Sequence, residues 1–240
     1  MTANVVITGG TTGIGLGLAH EFLRRGCNVA LCNLEKLQIE NVIQDLTTEY
    51  GPGRAIGVVC DVTHAKQITE LWNTAEAAFD HIDIWISNAG LPGGRKSVTE
   101  QDPEHILRLI RTGLGGSLLC AQVVIPRMRA AGGGWLWHMD GFGSEGSVRN
   151  GMTTYGATKA SVGYLRKALQ KDAKGTNVKI GSLRPGLVLT DMVKNDPELM
   201  SASSNAAQNI VNIIGDHVET ITPFLAEKML SDPGNGACIR

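Results

Sequence analysis

Short runs that are apolar from end to end recur along this chain, each separated from the next by a segment with helical spacing. The strand-like runs are 4–8, 28–34, 55–60, 82–87, 135–139 and 178–183. A strand that is apolar on both faces must be covered on both faces, and crossover helices provide that cover. Between the runs, Ile14, Leu18, Phe22 and Leu23 make one helical stripe that stops at Gly26, and Leu37, Val42, Ile43 and Leu46 make another. Further helices are expected over 64–79, over 102–129 with Asp102-Pro103 as its start, over 152–173, and through most of the chain from 203 onward. The pattern predicts a doubly wound parallel α/β sheet, a single domain over 1–240, with ligands at the carboxyl ends of the strands. The end, 234–240, reads as the entry to a final strand that stops abruptly.

Composition removes several alternatives. Lys and Arg number 22 against 23 Asp and Glu, with no basic run, which argues against nucleic acid as a partner. Hydrophobic residues make up 42%, enough for a core and too many for a disordered chain. The N-terminus has no basic region before its first strand, so no signal or transit peptide is expected. The apolar stretch 118–125 is far short of a membrane span. Five cysteines form no CxxC, and several lie in apolar runs, which suits buried free thiols in a reducing cytoplasm. The six histidines are scattered, so no metal site is expected. Glycine is abundant, at 30 residues without a period, and such glycines sit where backbone turns tightly or approaches something closely.

One such place is Thr8-Gly9-Gly10-Thr11-Thr12-Gly13-Ile14-Gly15, between the first strand and the first helix. Backbone N–H groups at a helix N-terminus attract a pyrophosphate, and glycines let it come close. A second feature is Tyr155-Gly156-Ala157-Thr158-Lys159, which puts a phenol and an ammonium on one helix face. At neutral pH only about one free tyrosine in a thousand is phenolate. A nearby cation favours the anion, which fits the phenol for acid/base work on a carbonyl or alcohol oxygen.

With these motifs the chain resembles the short-chain dehydrogenases/reductases over essentially its whole length. The matches are the TGxxxGxG turn at 8–15, Asp61-Val62, Asn88-Ala89-Gly90, Tyr155 with Lys159, and Pro185-Gly186 followed by Thr190. The resemblance implies an NAD(P)-dependent oxidoreductase in which Tyr155 is the acid/base, while Lys159 lowers its pKa and binds the nicotinamide ribose. It implies cofactor contacts from Gly9, Thr11, Thr12, Gly13, Ile14 and Asn33. It adds Asp61 and Val62 at the adenine, Asn88, Ala89 and Gly90 as a brace of the sheet, and Pro185, Gly186, Val188 and Thr190 at the carboxamide. A homo-dimer or homo-tetramer is also implied, built around 107–125 and 162–169, and a substrate lid over 191–217. The segments 82–90, 139–144 and 185–191 are similar to the chlorophyll(ide) b reductase group, which implies reduction of a formyl group on a chlorin ring. The alternative is a dinucleotide-binding sensor or partner subunit with little catalysis.

The chain departs from the family at three points. The family serine lies about 13 residues before the tyrosine, where this chain has Phe142. Ser144 is the candidate substitute, polarising the substrate oxygen, a role worth about 3 kcal/mol in comparable donors; otherwise it caps a loop. Asp140 is an alternative residue to face the site. The family's helix asparagine falls at Gly113, which has no side chain. At the end of the second strand Asn33-Leu34 is neither acidic nor basic, so the sequence leaves NAD and NADP open. Trp135 and Trp137 alternate on a strand and are expected in the core.

Overall fold

A computed structural model describes residues 2–93, 96–186, 188 and 217–240. The chain alternates strand and helix in the order β1 (Asn4–Thr8), α1 (Gly13–Arg24), β2 (Asn28–Asn33), α2 (Lys36–Tyr50), β3 (Ala55–Val59), α3 (Ala65–Phe79) and β4 (Ile84–Ser87). There follow α4 (Pro103–Ile110), α5 (Gly116–Ala130), β5 (Gly134–Met139), α6 (Thr153–Asp172), β6 (Val178–Leu183), α7 (Val218–Leu230) and β7 (Cys238–Ile239). The seven strands form one sheet in the order β3-β2-β1-β4-β5-β6-β7, and every pairing is parallel. The order reverses between β1 and β4, which opens a crevice at their carboxyl ends.

The apolar runs become strands because both faces are covered. Val5 and Ile7 of β1 point into a core made with α1, α2 and α7. Val6, between them, points into a second core made with α3, α5 and α6. Trp135 and Trp137 stack at 4.5 Å in the first core, as expected, and Trp72 and Trp85 stack at 6.0 Å in the second. Such pairs add packing beyond the area they bury. The final strand is short, yet it pairs with β6 through Ser182↔Cys238 and Leu183↔Ile239.

The helix expected over 102–129 is present as one helical run over Pro103–Ala130, broken only by a π-helical turn. Asp102 accepts from the Glu104 amide and Pro103 takes the first helical position, as the sequence suggests. The run then widens into a π-helical turn at Arg111–Gly115 before α5 begins. By length and composition the whole run Pro103–Ala130 would be apolar enough to cross a membrane, unlike the short stretch visible in the sequence. Here its second half packs on the sheet: Cys120, Val124 and Met128 are buried.

Candidate active site

The turn after β1 is tied to the end of β4. Thr8 Oγ1 accepts from the amides of Asn88 and Ala89, each at 3.0 Å, and Asn88 Nδ2 donates to the carbonyls of Thr8 (2.9 Å) and Gly9 (3.0 Å). This bond set fixes the mouth of the crevice from both sides. Gly13 adopts φ +52°, where a side chain would be strained, and a Cβ on Gly15 would lie 2.3 Å from the Gly9 carbonyl oxygen. Only glycine lets α1 start this close to the turn. Thr12 is the N-cap of α1 and makes no side-chain cap bond, so the helix presents its first amides and its positive dipole end to the crevice.

The other expected contacts lie along the same edge. Asn33 ends β2, donates to Thr11 Oγ1 and to Gln38 Oε1 (3.0 Å), and accepts from the Leu34 amide (2.7 Å). Its amide is therefore occupied within the protein. Asp61 follows β3 and holds the turn into α3, accepting from Thr63 N (2.9 Å) and Thr63 Oγ1 (2.8 Å). Val62 is buried beside Gly116, where a Cβ would come within 2.8 Å of it. Gly90 and Ile14 border the same crevice through their places after β4 and at the start of α1. Beyond β6, Pro185 and Val188 are buried and Gly186 has φ +77°. Thr190 and the lid expected over 191–217 lie outside the described residues, apart from His217 at the start of α7. An anion cradle at α1, a crevice at the reversal point and a ring of small residues fit a dinucleotide.

At the other end of the crevice, α6 brings Tyr155 and Lys159 to the loop that follows β5. A Cβ built on Gly141 would lie 2.8 Å from the Tyr155 hydroxyl and 3.1 Å from Cδ and Cε of Lys159. The two side chains thus converge on one backbone position. The ring is closed on its other side by Gly93, where a Cβ would lie 2.4 Å from Tyr155 Cβ. Lys159 Nζ donates to the Met139 carbonyl at 3.0 Å and stands 5.8 Å from the centre of the Tyr155 ring. Burial pushes the phenol up from its ordinary value, which keeps it protonated. Burial brings the Lys159 ammonium down to about 8, a shift that the Asp140 carboxylate opposes.

Ser144 is placed differently from its expected polarising role. Its hydroxyl donates to the Gly141 carbonyl at 2.7 Å and its amide to the same oxygen at 3.1 Å. Its own carbonyl packs where a Cβ of Gly163 would be, two helical turns beyond Tyr155. It closes a turn. The Gly141-to-Ser144 turn folds back on itself, and Gly141 meets the phenol. Asp140 does not stand as a free carboxylate either. It is buried and paired with Arg184 Nη2 at 2.9 Å; Arg184 also pairs with Glu145, which in turn takes Arg240 at 2.7 Å. Arg184 holds the Glu145 carboxyl below its ordinary range. Sequence reading missed Arg184, Glu145 and Gly93. The one local signal for Arg184 is its place just before Pro185, at the carboxyl end of a strand. Gly113 lies in the π turn, where a Cβ would be 3.3 Å from Thr158 Cβ, beside the lysine.

The comparisons with known proteins agree with this geometry. Residues 3–200 match the model of the short chain dehydrogenase family. The chain belongs to that family. The chloroplastic chlorophyll(ide) b reductase NOL of Oryza sativa subsp. japonica is 35% identical over 237 residues, covering 97% of this chain and 68% of that protein. Its counterpart in Arabidopsis thaliana is 33% identical over 239 residues, covering 98% and 67%. In fold, this short-chain dehydrogenase is similar to an L-sorbose reductase from Gluconobacter frateurii solved with NADPH and L-sorbose. The TM-score is 0.84 at 22% identity, with 100% of this chain and 95% of that one covered. That last likeness speaks to architecture alone. As a short-chain dehydrogenase/reductase the chain is an oxidoreductase that uses a nicotinamide dinucleotide.

Proposed function

We propose that this enzyme reduces a formyl group on a large, flat, largely apolar molecule, with Tyr155 as the proton donor. The observation that carries the reading is the convergence of the Tyr155 hydroxyl and Lys159 on the side-chain-less Gly141. In that position no side chain stands between the phenol and the loop backbone. Phe142, next to Gly141, and Val148 of the same loop are exposed apolar residues that an apolar substrate could meet. The named activity of the plant relatives supports the same substrate class.

The bound dinucleotide supplies the hydride. Tyr155 donates its proton to the carbonyl oxygen as negative charge develops there, and burial keeps that proton in place until then. Lys159, anchored on the Met139 carbonyl, stabilises the phenolate that remains. Ser144 takes no part, its hydroxyl being held in its turn. Polarisation rests on the phenol and the ammonium. For the cofactor, NADPH is the preferred form: β2 ends in Asn33, which sets no carboxylate against a 2′-phosphate, and exposed Lys36 follows.

We also propose self-association through the apolar Leu107, Ile110 and Leu118 and through Tyr164, which all face solvent on α4, α5 and α6. The free cysteines suit a reducing compartment such as a cytoplasm.

The test is oxidation of NADPH by purified protein over a panel that includes chlorophyllide b, aromatic aldehydes and simple ketones. Aldehyde-dependent oxidation is expected. It should fall by about 10²–10⁴-fold in Tyr155→Phe with NADPH binding retained, and stay within about twofold in Ser144→Ala because that hydroxyl makes no contribution of the oxyanion-hole kind. An inert protein, or a fully active Tyr155→Phe, refutes the proposal.

A further inference from the structure

Three successive residues at the end of β5 lie against the Lys159 side chain. Lys159 Nζ donates to the Met139 carbonyl at 3.0 Å, and its Cδ and Cε are 3.1 Å from where a Cβ of Gly141 would be. The residue between those two contacts is Asp140, whose side chain is only 1% exposed. Asp140 continues the alternation that turns Leu136 toward the core of α3, α5 and α6, so it lies on the side of the sheet that α6 covers. One of its oxygens is engaged: Oδ2 accepts from Arg184 Nη2 at 2.9 Å and from the Cys238 thiol at 3.9 Å. Oδ1 is buried and, among the described residues, has no hydrogen-bond partner. A buried carboxylate left half-satisfied is costly, and the loop keeps this one beside a buried ammonium.

The ammonium gives its hydrogen bond to the Met139 carbonyl rather than to this carboxylate. The attraction between the two charges therefore acts across space, where low local polarity strengthens it. Burial favours loss of the Lys159 proton, and the Asp140 charge opposes that loss. The other titratable groups around Lys159 do not take over the task. Tyr155, on the same helix, is neutral and pushed up by burial. His138, on β5, is held down to about 4 and is neutral at working pH. Arg184, after β6, is a cation and pairs with Asp140. Among the described residues, α4, the π turn and α5 add no charged group that acts on Lys159.

We propose that Asp140 is a positioning residue for the reaction, the counter-charge that keeps Lys159 an ammonium while Tyr155 gives up its proton. The inference rests on the reductase reading above. Arg184 steadies the carboxylate through Oδ2, and the carboxylate sustains the cation that favours the phenolate. Asp140 acts through Lys159 and transfers no proton itself.

Two measurements decide it, and the first needs no turnover. In protein carrying 13C-labelled lysine, the Cε signal of Lys159 is assigned by its loss in Lys159→Arg. It should titrate near pH 8 in the wild type and at lower pH in Asp140→Asn. Asp140→Glu, which keeps the charge, should titrate closer to the wild type than Asp140→Asn does. In turnover with NADPH and an aldehyde, the ratio of kcat at about pH 8.5 to kcat at about pH 6.5 should fall at least about threefold in Asp140→Asn, because the ammonium is lost earlier on the alkaline side. Should Asp140→Asn not fold, the double variant with Arg184→Met strands no charge and is read in the same way. A purely structural role would lower kcat by one factor at both pH values and leave the Lys159 titration in place, and that result overturns the proposal while leaving Tyr155 chemistry intact. A wild-type protein with no turnover overturns the reductase reading and the role of Asp140 in it together.

Discussion

Gly141 stands directly against the Tyr155 hydroxyl, so close that a single added carbon would lie 2.8 Å from the phenolic oxygen. The family would place a hydroxyl-bearing side chain near this point, and this chain places backbone there. Under the proposed mechanism the phenol would meet its substrate with its own proton and the Lys159 charge. The same contact makes Gly141 intolerant of change.

Gly141→Ala should lower kcat by about ten- to a hundredfold, the kinetic equivalent of the 1–3 kcal/mol that overpacking costs. The new methyl must displace the phenol or the Lys159 chain, both rooted on a rigid helix. Steady-state kinetics alongside a thermal melt separates this from unfolding. An alanine variant with wild-type kcat would show that the phenol is not where this structure puts it.

The Asp140–Arg184 pair should matter for stability more than for chemistry. Asp140 is buried, and Arg184→Met would strand its carboxylate, a change that costs about 3–5 kcal/mol when one partner of a buried pair is removed. For a domain of this size that corresponds to a fall in Tm of roughly 6–20 °C. Adding Asp140→Asn should recover much of the loss. A single variant that melts with the wild type would mean the pair is solvated.

Acid should destabilise the fold through His138. The imidazole titrates near 6.5 when unfolded and is held down to about 4 by burial when folded. The unfolded chain thus binds more protons between those values, and stability rises with pH across that window. The contribution is complete above pH 6.5 and is lost as pH falls toward 4, about 3 kcal/mol in all. Urea unfolding of wild type and His138→Leu at pH 7 and pH 4.5 measures it. A wild type with no greater loss than the variant contradicts the burial argument.

Cofactor choice should turn on residue 33. Asn33→Asp places a carboxylate at the end of β2 where a 2′-phosphate would lie. Repulsion between two such charges at contact distance is about 1–4 kcal/mol in a partly solvated setting. The ratio of kcat/KM for NADPH over NADH should fall by at least about tenfold. An unchanged ratio would place the adenosine ribose away from this strand end.

Much of the fold was legible because burial on both sides leaves a strand no polar position. Val5, Val6 and Ile7 are each fully buried, two toward one core and one toward the other. That is why the run reads apolar throughout. The π turn at Arg111–Gly115 was hidden, since one extra residue in a helical turn leaves no mark on an apolar pattern. In the site, Tyr155, Lys159 and the glycine turn are local motifs and were readable as such. The turn that engages Ser144 was not, because its backbone doubles back at Gly141. Arg184 reaches Asp140 across 44 positions, and nothing in either neighbourhood announces the pairing. Strand register sets Ser87, His138 and Ser182 side by side on β4, β5 and β6, which a linear reading does not supply.

The loop after β5 is anchored where the chemistry sits and free where it does not. Asp140 and Glu145 are fastened by Arg184, and Gly141 and Gly143 are pressed onto α6. Residues 146–150 are exposed, with Val148 at 95%. A fastened and an exposed stretch thus adjoin within one loop. Sequence change can accumulate in the second stretch without disturbing the packing that holds Gly141 against Tyr155 and Lys159.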